Sequence, residues 1–163
     1  MSMTTAAVLG TGAWGTTFAQ VLADAGVTVT MWGRNADTIS FINGGENPTY
    51  LPGIALSERI SATTDIAEAV SSCELVVVAV PVKAVRATLS AARGYFSPDV
   101  ALLSLAKGLE LGSLKRVDDI IAEASGVPSS RIAVLSGPNL SREIADRQPT
   151  ATVVAAHDVE LAK

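Results

Sequence analysis

The six residues "LVVVAV", Leu75–Val80, are apolar at every position. A strand with one face in water alternates apolar and polar side chains, so a strand apolar on both faces has to be covered on both. Such a strand belongs in the middle of a parallel sheet with helices on each side. The remaining segments supply them. Ala6–Leu9 and Val27–Trp32 are β-branched runs of strand length. Between them, Trp14–Ala25 places Phe18, Val21, Leu22 and Ala25 on one helical stripe, with Gly26 as its stop. Asn35 or Asp37 is placed to cap a helix through Asn43, followed by the irregular "GGENPTYLPG". Ile60–Ala62 reads as a short strand, Asp65 caps a helix to about Ser71, and Pro81 opens one to about Arg93. Val100–Leu105, Leu114–Ala124, Ile132–Leu135, Asn139–Ala145 and Thr150–Ala155 continue the alternation. Asp158 reads as the cap of a last helix cut off at Lys163. The pattern predicts an α/β protein with a doubly wound, mainly parallel sheet.

The 163 residues predict one domain, residues 1–163, apparently truncated within its final helix. Their 48% hydrophobic content and mean hydropathy of +0.38 are high for a soluble domain and suggest that a covering partner is missing. The longest apolar run, Leu75–Val82, falls far short of the roughly 20 residues that span a bilayer. With no leader at the start, a cytoplasmic protein without membrane insertion is expected. A net charge of −4 without a Lys/Arg cluster argues against nucleic acid as a partner. One cysteine and one histidine offer neither an internal disulfide nor a metal cluster, so no metal is expected.

The stretch "VLGTGAWGTTFAQVLADAGVTVTMWGRN" carries Gly10, Gly12 and Gly15 in the spacing G-x-G-x-x-G, between a predicted strand and an amphipathic helix. That context makes it a dinucleotide-binding loop. Gly10 permits the tight turn, Gly12 lets the backbone approach a pyrophosphate, and Gly15 lets the helix pack closely. The helix N-terminus then presents its N–H groups to the phosphate. An acid that would bond the adenosine ribose is expected after the second strand, and Arg34 stands there instead. A guanidinium offers planar, charge-assisted donors to a 2′-phosphate, which points to NADP(H), with NAD(H) also accepted. The competing reading is a solvated arginine beside an NAD site.

Three later stretches extend the pattern: "NPTYLPG" (Asn47–Gly53), "LAKGLE" (Leu105–Glu110) and "LSGPNLSREIA" (Leu135–Ala145). With "GTGAWGTTFA" they resemble, in order and spacing from about Ala6 to Val154, the bacterial NAD(P)-dependent glycerol-3-phosphate dehydrogenases. The resemblance implies a Rossmann-type nucleotide-binding domain, with the family's helical C-terminal domain absent from this chain. It implies that Gly10, Gly12, Ala13, Trp14, Gly15, Arg34, Tyr50 and Ser141 contact or lie near the cofactor. Lys107 would lie where cofactor and substrate meet, and Gly137 and Asn139 would contact the substrate. Position 13 is often serine and position 139 often threonine in the family, where Ala13 and Asn139 stand here. The family's proton-transfer lysine lies in the helical domain, so no catalytic residue is expected in this chain, with Lys107 in a supporting role. The full enzyme would be an oxidoreductase that interconverts dihydroxyacetone phosphate and sn-glycerol 3-phosphate for phospholipid biosynthesis. This chain alone would be inactive, and homo-oligomerisation is left open.

The residues themselves agree. Lys107 follows an apolar strand, at the strand end where ligands of open α/β sheets bind. "SGPN" follows another strand and opens a helix, whose N–H groups suit an anion. Two other classes compete. A non-enzymatic dinucleotide sensor leaves Lys107 and the Ser-Gly-Pro-Asn turn unexplained. A ketopantoate reductase-like or 6-phosphogluconate dehydrogenase-like enzyme is opposed by "NPTYLPG" and "LAKGLE". Trp32 and Phe18 read as core residues, Cys73 as a small core or near-surface residue and not a nucleophile, Asp118 and Asp119 as a solvated helix face, and His157 as non-catalytic.

Overall fold

The computed structural model describes residues 3–162. In chain order the elements are Thr5–Leu9 (β1), Ala13–Asp24 (α1), Thr28–Trp32 (β2), Ala36–Asn43 (α2), Glu46–Asn47 (β3), Leu51–Ala55 (β4), Ile60–Thr63 (β5) and Ile66–Val70 (α3). Leu75–Val78 (β6), Val82–Ala92 (α4), Ala101–Ser104 (β7), Val117–Ser125 (α5), Ile132–Ser136 (β8), Ser141–Ala145 (α6) and Val153–Ala156 (β9) follow. One sheet runs β5–β2–β1–β6–β7–β8–β9, parallel throughout except for the antiparallel edge strand β9.

The apolar strand at the centre does what its two-faced composition requires. In β6, Val76 and Val78 join Leu9, Val85, Leu89 and Ile120 on the α4–α5 face, while Val77 joins Val8, Phe18 and Met31 on the α1 face. All three valines are fully buried. Strand order reverses between β1 and β6, so their C-terminal ends diverge into a crevice.

Local chemistry sets the helix ends. The Asn35 Oδ1 accepts the Thr38 N–H at 2.8 Å at the start of α2, and the Asp65 Oδ1 accepts the Ala67 N–H at 2.8 Å at the start of α3. Gly126, at φ +76°, ends α5 in the left-handed conformation.

Several expectations are corrected. On α1 the buried stripe is Gly15, Phe18, Ala19, Leu22 and Ala23; Val21 is 41% exposed and Ala25 lies beyond the helix end. The segment read as irregular forms an antiparallel β3–β4 pair, a short pairing with a register shift that leaves no alternation to read. Helix α5 begins at Val117, because Glu110 N donates to Lys115 O at 3.0 Å and Leu109 pairs with Arg116, closing 109–116 as a turn. Helix α6 starts at Ser141, since the Asn139 side chain is tied to Thr150 and Thr152. Asp158 accepts the Glu160 N–H at 2.9 Å, but residues 158–162 form hydrogen-bonded turns and no helix. The expected stop at Lys163 lies outside the described residues.

No helix among the described residues is long and apolar enough to cross a membrane.

Candidate functional site

The C-terminal ends of the parallel strands place the loop after β1, Arg34 after β2, Pro81 after β6, Lys107 after β7 and Gly137 after β8 along one edge of the sheet. The crevice between β1 and β6 opens there as a cleft of about 490 Å³. Gly10, Gly12, Trp14 and Gly15 line one wall, Arg34 and Tyr50 one end, and Ala79, Leu105 and Ala106 the other wall.

Each glycine of the loop has its own geometric cause. Gly10 sits at φ +126°, and a Cβ there would lie 2.9 Å from the Ala79 carbonyl carbon at the end of β6. A Cβ on Gly15 would lie 2.3 Å from the Gly10 carbonyl oxygen, so this residue fixes how closely α1 approaches the sheet. Gly12 is different: nothing lies within 4 Å of the Cβ it lacks. Its missing side chain leaves room in the cleft, not in the core. Helix α1 opens there with no side-chain cap and no acid in its first turn. Its first N–H groups therefore have neither an intrahelical partner nor an acid of their own turn competing for them.

Arg34 is exposed, and among the described residues it makes no hydrogen bond or ion pair. Gly33 fixes where it starts, because a Cβ there would meet Thr11 Cγ2 at 2.7 Å, so the arginine and the glycine loop are held side by side. A second cavity of about 400 Å³ continues from the cleft, lined by Thr11, Arg34, Asp37, Thr38, Phe41 and Tyr50. The Asn35 Oδ1 is used in capping α2, so this oxygen does not serve the arginine.

The model of the family described as NAD-dependent glycerol-3-phosphate dehydrogenase N-terminus matches residues 5–162. The chain belongs to this family. It is 50% identical over 162 residues to the glycerol-3-phosphate dehydrogenase [NAD(P)+] of Thermobifida fusca, covering 98% of this chain and 48% of that protein. The Streptomyces griseus protein of the same name is 50% identical over 159 residues, covering 97% of this chain and 47% of the relative. A crystal structure of glycerol-3-phosphate dehydrogenase from Coxiella burnetii superposes with a TM-score of 0.89 at 28% identity, over 97% of this chain and 48% of that one. The chain thus spans about half the length of the curated relatives it matches. These matches favour neither the sensor reading nor the ketopantoate reductase-like and 6-phosphogluconate dehydrogenase-like readings.

The residues singled out by the dehydrogenase resemblance fall into two groups. Gly10, Gly12, Trp14, Gly15, Arg34 and Tyr50 line the one cleft, and Ala13 opens the helix beside it. Lys107 stands next to Ala106 at its inner end, where its Nζ donates to the Gly137 carbonyl at 3.0 Å. Gly137 and Asn139 are therefore close to Lys107, but each also has a local role. A Cβ on Gly137 would lie 2.6 Å from the Ala151 carbonyl oxygen, and Asn139 donates to Thr152 Oγ1 and accepts from Thr150 Oγ1, both at 3.2 Å. Ser141 lies apart from the cleft-lining set; its carbonyl accepts the Thr17 hydroxyl at 3.2 Å and docks α6 on α1.

The acid of "LAKGLE" ties the loop that follows Lys107 to α4. Glu110 accepts from Nε and Nη2 of Arg86, each at 2.8 Å, and from the Ser113 hydroxyl at 2.6 Å. These bonds, Arg86 first, pull the Glu110 carboxyl down from 4.5 to about 2. A depressed acid stabilises the fold above its unfolded value, and that contribution is lost as pH falls from about 4.5 toward 2. Glu110→Gln is therefore expected to flatten the loss of melting temperature across this window, as thermal melts at stepped pH would show. An acid limb as steep as in the parent would assign the loss to other carboxylates.

Other expectations resolve simply. Cys73 is buried, its thiol donates to Ala69 O at 3.1 Å, and burial pushes its pKa up to about 11, which suits a core residue and not a nucleophile. Phe18 is core, whereas Trp32 is half-buried, donates to Thr64 O and lines the cleft. Asp118 is ion-paired to Arg116 and largely covered, so only Asp119 fits the solvated face. Among the described residues no group of three or more His, Cys, Asp or Glu side chains could hold a metal ion.

Sequence reasoning missed Asn47. In the sequence it stands only inside "NPTYLPG", where its neighbours carry no periodicity. The structure buries it behind the glycine loop, with its amide on Thr11 O and Thr16 Oγ1.

Proposed function

We propose that this chain is the dinucleotide-binding half of an NAD(P)-dependent glycerol-3-phosphate dehydrogenase, taking NADPH and, less tightly, NADH. The observation that carries the reading is the pairing of two anion receivers along one cleft: the uncapped N-terminus of α1 beside the open Gly12, and the unpartnered Arg34. The first suits a pyrophosphate and the second a 2′-phosphate. Ala13, Trp14 and Gly15 would contribute N–H groups to the first, and Tyr50 would close the adenosine end.

When bound, the cofactor supplies the hydride that reduces dihydroxyacetone phosphate to sn-glycerol 3-phosphate. This chain's part is to bind, orient and place charge. Lys107, held by Gly137 O and followed by a loop that the Glu110–Arg86 pair ties to α4, would present a cation to the substrate carbonyl or phosphate. Gly137 and Asn139 would shape the substrate end, and Ser141 would sit behind the cofactor on α6. Proton transfer is assigned to the half of the relatives that this chain does not span. Lipid synthesis would be the use of the product, in the cytoplasm.

Two measurements test the reading. Calorimetry should show NADPH binding to this chain. A full-length protein carrying it should oxidise NADPH with dihydroxyacetone phosphate and not with ketopantoate or 6-phosphogluconate. In that protein Lys107→Ala is expected to lower kcat/KM by roughly tenfold, about 1.4 kcal/mol, with little change in NADPH affinity. Activity retained within about twofold, ~0.4 kcal/mol, would remove Lys107 from the substrate site.

A further inference from the structure

Asn47 is 1% exposed, yet it is an amide. Its Nδ2 donates to the Thr11 carbonyl at 3.0 Å and to Thr16 Oγ1 at 2.8 Å. Both donor positions are thus used. Its Oδ1 is buried with no hydrogen-bond partner in the structure. The opposite amide orientation would set this oxygen against the Thr11 carbonyl, acceptor against acceptor, so the observed one is imposed by its neighbours. A buried acceptor without a partner is unfavourable, so the amide is kept at a cost that only its two donated bonds offset. What those two bonds hold is therefore the point of the amide.

Both bonds end on the phosphate loop and the first turn of α1. A trans peptide points its carbonyl and its N–H in opposite directions. Holding Thr11 O back toward Asn47 therefore turns the Gly12 N–H the other way, and Gly12 lines the cleft. Among the described residues that N–H donates to no group. Thr16 adds a second tie: its hydroxyl reaches Thr11 O at 3.3 Å, and its N–H closes the first turn of α1 on Gly12 O at 2.9 Å. Asn47 also turns the chain toward the adenosine end, because its own carbonyl accepts the Tyr50 N–H at 3.3 Å. One buried side chain thus braces the peptide that faces the cleft.

We propose that Asn47 is a positioning residue for the dinucleotide, aiming the Gly12 N–H at the pyrophosphate by holding the preceding carbonyl behind the loop. The inference rests on the reading of the cleft as a dinucleotide site and adds to it a residue outside the cleft. Its effect should follow the pyrophosphate and ignore the 2′-phosphate.

The test is Asn47→Leu in this chain, titrated with NADPH, NADH and adenosine 2′-monophosphate while thermal melting is followed in parallel. Expected is a loss of about tenfold in affinity for both dinucleotides, with adenosine 2′-monophosphate, which has no pyrophosphate, bound as in the parent. If leucine prevents folding, Asn47→Ala adds no bulk and is read in the same way. Dinucleotide affinity within twofold of the parent overturns the proposal. So does an equal loss for adenosine 2′-monophosphate, which would mean a general collapse of the site. A parent chain that binds neither dinucleotide would instead overturn the assignment of the cleft itself.

Discussion

Gly15→Ala is expected to lower the melting temperature by about 6–12 °C and to abolish measurable NADPH binding. The added methyl carbon would lie 2.3 Å from Gly10 O, 3.1 Å from the Ala79 methyl and 3.2 Å from the Gly10 carbonyl carbon. Two of these three atoms are backbone, so no rotamer change relieves the contact. Gly10 is itself pinned, with its N–H on Trp32 O at 2.9 Å. Relief therefore requires α1 to lift from β1 and β6, opening the core formed by Phe18, Ala19 and Leu22. Overpacking of this kind costs about 1–3 kcal/mol, and the absence of a yielding side chain argues for the upper end. Each kcal/mol lowers the melting point of a domain this size by roughly 2–4 °C. Gly12→Ala is the control, since its Cβ meets nothing and its φ of −71° suits any residue. It should melt with the parent and still bind NADPH poorly. Calorimetric melts with and without NADPH decide the matter, and a Gly15→Ala protein melting within 2 °C of the parent would refute the packing argument.

How much of this could be read from the sequence depends on whether the cause lies near in the chain. The central strand was legible because its two covered faces leave no polar position in "LVVVAV". The three loop glycines were legible for the same reason: each answers a constraint within one strand–loop–helix unit. The caps at Asn35 and Asp65 act over three residues and were also visible. What stayed hidden acts across the fold. Asn47 meets Thr11 and Thr16 from 36 and 31 residues away, and nothing in "NPTYLPG" says that its amide is buried. The split between Val21, exposed, and Ala19, buried in the sheet-facing core, depends on which side of α1 the rest of the fold covers, which the helix's own sequence does not settle. The helix predicted from Leu114 starts three residues late because 114–116 belong to the turn at 109–116, and the Arg86–Glu110 pair that holds it joins α4 to a loop. The Ser-Gly-Pro-Asn turn was read as an anion site. The structure gives Gly137 and Asn139 a packing role against residues 150–152 that the sequence could not show.

Arg34→Ala is expected to weaken NADPH binding by roughly 10- to 150-fold while changing NADH affinity little. The magnitude follows from hydrogen bonds to charged groups, about 1.5–3 kcal/mol, since a guanidinium offers a phosphate two parallel donors. Within the described chain the side chain has no other employment: it makes no ion pair, and it lies on the surface at the junction of the cleft and the Asp37–Phe41 cavity. Its backbone is fixed on both sides, by Gly33 against Thr11 and by the Asn35 cap of α2. Removing the side chain should therefore delete a contact without disturbing the loop, and the melting temperature without cofactor should stay unchanged. Asp37 shares the cavity and repels the same phosphate, which limits the preference and leaves room for NADH. Because the arginine is exposed, its contribution should shrink as salt rises and the Debye length falls from about 10 Å at 0.1 M to 3 Å at 1 M. Titrations of parent and variant with both cofactors at low and high salt separate the cases. Equal losses for NADPH and NADH would show that Arg34 serves a feature common to both and does not read the 2′-phosphate.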